Sequence, residues 1–169
     1  MTIALTGTPG IGKTTTAALL REKGFKVLDL NEFINKKGLR GERDEDRDSD
    51  EVDLSLLKKE FEKILDYDIV DGHLSHHLEI SPVIVLRCSP EELRKRMSVK
   101  DWPQRKINEN LEAEILDVIL IEALEYSEEV YEVDTTDMEP AEVRDAVIEI
   151  IEGKCDKYPF GQVDWSSEL

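Results

Sequence analysis

The sequence predicts an α/β fold in which a five-stranded parallel sheet is covered by helices on both faces. Short apolar segments alternate along the chain with longer segments of helical periodicity, and this alternation is typical of parallel strands joined by helical crossovers. A glycine-rich turn connects the first predicted strand to the first predicted helix. With 169 residues, of which 40% are apolar, the chain is long enough for one domain with a sizeable core.

Strands are predicted where short apolar runs stop at polar or turn-forming residues. They are residues 2–6, 25–28, 68–71, 82–87 and 130–134. Helices are predicted where apolar spacing or capping residues indicate them, over residues 14–23, 31–37, 54–65, 90–97, 107–126 and 140–152. Gly24 ends the first helix as an expected C-terminal cap, and Ser89 precedes the fourth as an expected N-cap. Charge dominates residues 40–53, which are predicted as a mobile surface loop, and residues 156–169 are predicted as an irregular tail.

Residues 7–14 read Gly-Thr-Pro-Gly-Ile-Gly-Lys-Thr, which matches the phosphate-binding pattern G-x-x-x-x-G-K-[ST]. In such a loop, glycines such as Gly10 and Gly12 let backbone N–H groups surround a polyphosphate. Lys13 is expected to reach the β and γ phosphates, and Thr14 to place its hydroxyl on Mg²⁺. A chance glycine-rich turn is the alternative, but four fixed positions and both flanking elements agree with the pattern. The sequence therefore predicts a P-loop NTPase that binds ATP and Mg²⁺.

Asp71 ends the third predicted strand, so its carboxylate is expected at the same sheet edge as the phosphate loop, acting on Mg²⁺ directly or through water. His73 follows two residues later and is a candidate to orient an attacking water or the Mg²⁺ shell. His76 and His77 complete the three histidines of the chain. A zinc site is one interpretation, but the spacing H-x-x-H-H lacks the acid of a zinc protease motif. For His76 and His77 we therefore favour partly exposed polar packing.

A group of cations surrounds a break in helical pattern at Asp101-Trp102-Pro103. Its members are Arg94, Lys95, Arg96, Lys100, Arg105 and Lys106. Cations that approach only when a lid closes can neutralise a transferred phosphoryl group and exclude water. The segment is therefore interpreted as a lid, with a solvated helix face over 94–96 as the alternative.

The composition restricts the classes of partner that the protein is expected to bind. A net charge of −17 and a pI near 4.6 oppose unassisted binding to a nucleic-acid backbone and favour a basic protein partner. No apolar run approaches the length of a membrane span, and the N-terminus reads directly into a strand, so a soluble, cytoplasmic protein is expected. Cys88 and Cys155 are far apart and are expected to be free thiols.

Three motifs together resemble the adenylate kinase isoenzyme 6 family, the archaeal-type or nuclear adenylate kinases that are also ribosome-maturation ATPases. They are G-T-P-G-I-G-K-T-T at residues 7–15, D-G-H at 71–73 and K-I-N-E-N-L-E-A-E-I at 106–115. The resemblance covers roughly residues 2–152. It implies an adenylate-kinase-like fold, activity toward ATP and AMP, and ATPase activity in 16S-type or 18S-type rRNA maturation with a basic small-subunit ribosomal protein on the pre-ribosome.

The resemblance also implies roles for particular residues. The ATP phosphates would be held by Gly10, Gly12, Lys13, Thr14 and Thr15. Asp71 and His73 would form the Walker B turn. A monophosphate-binding part would span residues 28–51 and a lid residues 98–108, within one domain over residues 1–169. The chain has Lys100 where the family commonly has an ATP-contacting arginine, and a lysine lacks the planar fork of that group. Asn35 stands near an expected AMP-contacting arginine, for which Lys36, Lys37 or Arg40 could substitute.

Three functions fit these observations. The first is an adenylate kinase that aligns ATP and AMP for in-line transfer. The second is a binding switch in which ATP regulates binding to the basic ribosomal protein, with the acidic segment 42–51 imitating RNA. The third is a kinase of another small metabolite such as shikimate, although the sequence shows no acid or arginine pattern specific to it.

Overall fold

The computed structural model describes residues 1–44, 49–64 and 66–169. The described strands are β1 (Ile3–Gly7), β2 (Val27–Asp29), β3 (Arg40–Asp44), β4 (Ser49–Val52), β5 (Ile69–Asp71), β6 (Val83–Arg87) and β7 (Val130–Asp134). The described α-helices are α1 (Lys13–Glu22), α2 (Leu30–Lys36), α3 (Leu54–Phe61), α4 (Pro90–Ser98), α5 (Gln104–Ile115), α6 (Val118–Tyr126) and α7 (Pro140–Ile151). Short 3₁₀ helices cover Ser75–Leu78 and Ser166–Glu168.

The main sheet has five parallel strands in the order β2-β5-β1-β6-β7. The central strand β1 lies between β5 and β6, and its Leu5 is in register with Asp71 on one side and Ile84 on the other. Because all five strands run the same way, the turns after β1 and β5 emerge at one sheet edge. The predicted fold class is confirmed, and this topology brings Asp71 to the side of the phosphate loop.

Helices cover both faces of the sheet because alternate residues of each strand point in opposite directions. On β1, Ile3 and Leu5 belong to one buried cluster, which includes residues from α1 and α7. Ala4 between them belongs to a second cluster, which includes residues from α2, α3 and α6. Val85 on β6 belongs to that second cluster, while Ile84 belongs to the first.

Residues 40–53 are not an irregular loop in their described part, and that prediction was wrong. β3 and β4 form an antiparallel pair in which Arg40 is in register with Val52. The pair is hard to recognise from sequence because apolar and polar residues do not alternate there. Residues 45–48, the middle of the predicted acidic segment, lie outside the described residues, as does Leu65 of the predicted third helix.

The predicted single helix over 107–126 is two helices, and Arg87 explains the break. Its guanidinium donates to the carbonyl oxygen of Glu114 at 3.2 Å and to the carboxylate of Asp117 at 2.5 Å. Asp117 adopts a φ of +56°, a left-handed conformation that ends regular helix. α5 therefore stops at Ile115, and α6 begins at Val118.

A buried cluster of ion pairs surrounds the same arginine. Arg87 is 1% exposed and contacts Glu114 through Nε at 2.8 Å and Glu132 through NH1 at 2.7 Å. Burial works against its charged form, but the charges and hydrogen bonds of the surrounding carboxylates, Glu114 foremost, hold the pKa of Arg87 above its ordinary value. The C-terminal tail joins the cluster, because Trp165 Nε1 donates to Glu114 at 3.2 Å and the Gly161 N–H donates to Glu132.

The tail also contacts β7 through its backbone. Pro159 forms an antiparallel bridge with Tyr131, and the N–H of Glu132 donates to the carbonyl of Tyr158 at 3.1 Å. The expected free thiols are confirmed: Cys88 is buried and Cys155 half-buried, and neither forms a disulfide within the described chain. No described helix is both long and apolar enough to cross a membrane.

Candidate functional site

The phosphate-binding loop runs from the end of β1 to the start of α1. Gly10 has a φ of +91°, and a Cβ there would lie 2.6 Å from Cγ of Met97, so a larger residue would both strain the backbone and collide with α4. The N-cap residue of α1 is Gly12, which has no side chain to cap the first turn. The backbone N–H groups of that turn and the positive end of the helix dipole are therefore free for an anion.

Lys13 is buried beneath this loop with 9% of its surface exposed. Its ammonium donates to the carbonyl oxygens of Gly7 at 2.6 Å and Thr8 at 3.0 Å. Burial lowers the pKa of Lys13 to about 8, although Asp71 and Glu114 act in the opposite direction. The side chain thus stays mainly protonated at neutral pH and lies at the base of the loop, within reach of a bound phosphate.

Asp71 ends β5 with 6% exposure, and its Oδ1 is buried without a hydrogen-bond partner among the described residues. Burial raises the pKa of Asp71 to about 6, while the charge of Lys13 opposes the shift and that of Asp29 adds to it. An unpartnered carboxylate oxygen at this edge is a ligand that a hard cation accepts. With the exposed Thr14 hydroxyl at the start of α1, the side chains present fit Mg²⁺.

The turn after Asp71 is fixed to the central strand. A Cβ on Gly72 would lie 2.8 Å from Cβ of Leu30, so only glycine lets the turn approach α2 this closely. Ser75 donates from Oγ to the carbonyls of Leu5 at 3.0 Å and Gly72 at 2.8 Å. Burial, helped by the charge of Lys13, lowers the pKa of His73 to about 3. Its imidazole is therefore neutral at physiological pH and can donate or accept one hydrogen bond.

A cleft of about 730 Å³ opens above the loop, and most of the predicted site residues line it together. They are Gly10, Gly12, Lys13, Thr14, Thr15, His73 and Lys100. Asp71 is buried at the end of β5 and is not among the lining residues. Within the described part of the predicted monophosphate segment 28–51, Asn31 lines the cleft. The volume is in the usual range for a small-molecule site.

The cations of the predicted lid have different partners. Arg96 faces the cleft, where NH1 donates to the carbonyl of Ile11 at 2.8 Å and NH2 to the carbonyl of Thr135 at 2.8 Å. It therefore joins the phosphate loop to the segment after β7. Lys95 instead pairs with Glu91 on the exposed face of α4, as the solvated-face alternative for residues 94–96 expects. On α5, Arg105 pairs with Glu109 one helical turn away.

The break between α4 and α5 is confirmed, and Trp102 is at its centre. The ammonium of Lys100 lies 5.3 Å from the centroid of the Trp102 ring and that of Lys106 lies 4.4 Å from it. Both distances suit cation–π contacts. Lys100 and Trp102 line the cleft, while closure of residues 98–108 over a nucleotide stays a prediction.

Arg40 lies near the histidine turn, since its charge is among those that lower the pKa of His73. Its Nε donates to Oδ1 of Asn35 at 2.5 Å. Lys36 pairs with Glu32 at 2.9 Å on the exposed face of α2. Arg40 thus acts through its charge on His73, a residue of the cleft, whereas Lys36 pairs with Glu32.

His76 differs from the prediction of partly exposed packing, whereas His77, whose side chain is 11% exposed, agrees with it. His76 is completely buried, with Nδ1 2.9 Å from the Thr6 hydroxyl and Nε2 2.8 Å from Glu122. Burial lowers the pKa of His76 to about 4, although its hydrogen bond with Glu122 acts in the opposite direction. His77 stacks beside it, with ring centroids 4.2 Å apart. For His76 the exposure prediction was wrong because Glu122, 46 positions later, gives the buried ring a polar partner.

Two features of the site were missed in the sequence. Glu114 accepts the hydroxyl of Thr8 at 2.7 Å and so connects the phosphate loop to the buried Arg87 cluster. Residues 135–140, directly after β7, form one wall of the cleft. Their position could have been inferred, because the carboxyl end of each parallel strand lies at the binding edge. The role of Glu114 depends on tertiary contacts that no local pattern reveals.

Comparisons with known proteins agree with this geometry. A family model described as an AAA domain matches residues 3–117. A protein of Archaeoglobus fulgidus named "Putative adenylate kinase" is 46% identical over 172 residues, covering 100% of this chain and 94% of the relative. One of the same name from Methanothermobacter thermautotrophicus is 46% identical, with 99% of this chain and 98% of the relative covered.

A solved structure shares the architecture. Shikimate kinase from Bacteroides thetaiotaomicron superposes with a TM-score of 0.57 at 16% identity, covering 90% of this chain and 98% of that chain. At this identity the likeness shows the P-loop kinase-like fold alone. The full-length matches to the archaeal proteins go further, and the chain belongs to their family, whose members carry the name putative adenylate kinase.

Proposed function

We propose that this protein is a nucleotide kinase that transfers the γ-phosphoryl group of ATP to AMP and yields two ADP. The observation that carries the proposal is the single cleft in which the phosphate loop, His73, Arg96 and Lys100 meet, with the unpartnered Asp71 oxygen buried at the same sheet edge. The name borne by its archaeal relatives supports the same reaction.

The chain's own groups have distinct tasks in this proposal. The first-turn N–H groups of α1 bind the phosphates, and Lys13 exchanges its bonds to the Gly7 and Thr8 carbonyls for phosphate oxygens. Thr14 and Asp71 would hold Mg²⁺, which supplies charge neutralisation between the β and γ phosphates. Arg96 and Lys100, which also line the cleft, add positive charge.

The reaction needs little proton chemistry. An oxygen of the AMP phosphate forms a bond to the γ-phosphorus as the bond from that phosphorus to the β–γ bridging oxygen breaks. Arg40 is our candidate to position the AMP phosphate, since it lies near His73. When water replaces AMP, the neutral His73 can accept a hydrogen bond from that water, and the same site then acts as an ATPase.

The test is to measure ADP production from ATP·Mg²⁺ with no acceptor and with AMP, CMP, UMP, GMP or shikimate. We expect formation of ADP that depends on AMP, with two ADP formed per AMP consumed. Lys13→Ala should lower this turnover at least about 100-fold, because it removes a cation at the transferred phosphate. Lys23→Ala, the same change at the exposed end of α1, should keep it. No ADP above the ATP-only rate with any monophosphate would exclude the kinase.

The charge of the chain favours a second candidate function for the same site. A net charge of −17 suits a binding switch in which ATP controls contact with a basic small-subunit ribosomal protein during pre-ribosome maturation. Such binding should weaken as salt increases and should differ between ATP-bound and ADP-bound protein. Pull-down with the purified ribosomal protein measures both, and binding indifferent to salt and to nucleotide would exclude the switch.

A further inference from the structure

A cluster of metal-ligand side chains lies between the 3₁₀ helix Ser75–Leu78 and α6, outside the residues that line the nucleotide cleft. Nε2 of His76 is 2.8 Å from Oε2 of Glu122, and Nε2 of His77 is 3.5 Å from the same oxygen. Each of the three residues offers one donor atom, and these atoms all lie within 4.8 Å of one another. None of the three lines the described cleft.

We propose that His76, His77 and Glu122 form a binding site for a divalent transition-metal ion such as Zn²⁺. Two imidazole nitrogens and one glutamate oxygen are a donor set that zinc accepts, with a water in the fourth position. An ion bound there would link the turn after β5 to α6. This site is separate from the Mg²⁺ site proposed at Thr14 and Asp71.

The two distances from the Glu122 oxygen to the histidine nitrogens are close to those around a tetrahedral ion. Zinc bonds to nitrogen and oxygen of about 2.0–2.2 Å place neighbouring donors about 3.3–3.5 Å apart. The His77–Glu122 distance already has this value, and the His76–Glu122 distance of 2.8 Å is shorter by about half an ångström. Glu122 is 38% exposed on α6, so its carboxylate has room to withdraw by that amount and admit the ion.

The surroundings hold the histidines in place for ligation. Nδ1 of His76 lies 2.9 Å from the Thr6 hydroxyl in the buried core, and a hydrogen bond on this nitrogen orients the ring and leaves Nε2 toward the metal. His77 packs edge-on against Tyr126, with ring centroids 5.0 Å apart. Its Nδ1 has no hydrogen-bond partner in the described structure, and its Nε2 lies 3.5 Å from Glu122, which leaves that nitrogen room to bind an ion.

The competing explanation is a hydrogen bond between His76 and Glu122 that needs no ion. Calorimetric titration of ZnCl₂ into chelator-treated, nucleotide-free protein separates the two. We expect one Zn²⁺ per chain for the wild type and for Glu125→Gln, which makes the same change at an exposed position of α6. Glu122→Gln and His77→Gln should each weaken binding at least tenfold. Glu122→Gln keeps a hydrogen-bond acceptor for His76 and should retain the fold.

A second readout on the wild type covers the case in which a variant does not fold. Co²⁺ in place of Zn²⁺ should give the visible absorption of a tetrahedral ion with nitrogen and oxygen ligands. Absence of a bound ion in the wild type, Zn²⁺ binding by Glu122→Gln equal to that of the wild type, or thiolate-to-cobalt bands indicating Cys155 or Cys88 would each overturn the proposal.

Discussion

Replacing Asp71 by asparagine should stabilise the nucleotide-free protein while it removes turnover. Burial raises the pKa of this carboxyl from its usual 3.8 to about 6. Well below pH 3.8 the carboxyl is neutral in both the folded and the unfolded protein, so it has no effect on stability. Above pH 6 it is charged in both, and the charge is less well hydrated in the folded protein, which destabilises the fold. The difference of about 2.2 pH units corresponds to about 3 kcal/mol of lost stability above pH 6.

Asparagine has the same shape and no charge, so it removes this cost. Lys13 loses an attractive partner in the exchange, which reduces the expected gain to about 1–3 kcal/mol, or a Tm increase of about 2–12 °C for a chain of this size. The gain should be present at pH 8 and vanish as the pH falls toward 4. Mg²⁺-ATP should raise the Tm of the wild type far more than that of Asp71→Asn, because the variant lacks the carboxylate for the ion.

Urea and thermal unfolding at pH 8 and pH 4, without Mg²⁺ or nucleotide, measure the effect. Asp156→Asn makes the same change at an exposed position of the tail and should leave stability within about 0.5 kcal/mol of the wild type. The inferred destabilisation by Asp71 is wrong if Asp71→Asn is no more stable than the wild type at pH 8, or if its increase in the free energy of unfolding is the same at pH 4. Either result would show that the buried carboxylate does not destabilise the folded protein.

Two further substitutions test other parts of the structure. Lys100→Ala should lower kcat/KM for ATP about tenfold, because it removes a cation beside Trp102 in the cleft. Lys95→Ala, on the exposed face of α4, should leave steady-state kinetics unchanged. Equal effects of the two substitutions would show that Lys100 does not contribute to the site. Arg87→Met should cost about 3–5 kcal/mol in urea unfolding, because it leaves buried carboxylates without their cation. Arg105→Met breaks only an exposed pair and should cost at most about 1 kcal/mol, so similar losses would contradict the importance of the buried cluster.

The parts of the site that sequence reasoning predicted are those set by short-range rules. The phosphate loop follows from a fixed spacing between a strand and a helix, and Lys13 and Thr14 line the cleft as that spacing requires. The sheet-edge position of Asp71 follows from the parallel strands, because every such strand presents its carboxyl end to the same edge.

The missed parts depend on contacts between residues far apart in sequence. The end of α5 is set by Arg87, about 30 positions earlier, and helical periodicity through residues 107–126 gave no sign of it. Glu122 reaches His76 only because α6 packs on the turn after β5. The β3–β4 pair was missed for a different reason, since its strands are short and mostly polar and lack the alternation by which strands are recognised.

The contact between the tail and β7 has a consequence for how the molecule behaves in concentrated solution. β7 is an outer strand of the main sheet, and an outer strand with free N–H and C=O groups invites pairing with another chain. Tyr158 and Pro159 occupy that side of the strand at Glu132 and Tyr131. The tail therefore covers part of this outer strand and limits its pairing with another chain. We expect a chain that ended before Lys157 to be more prone to aggregation, even with its nucleotide cleft intact.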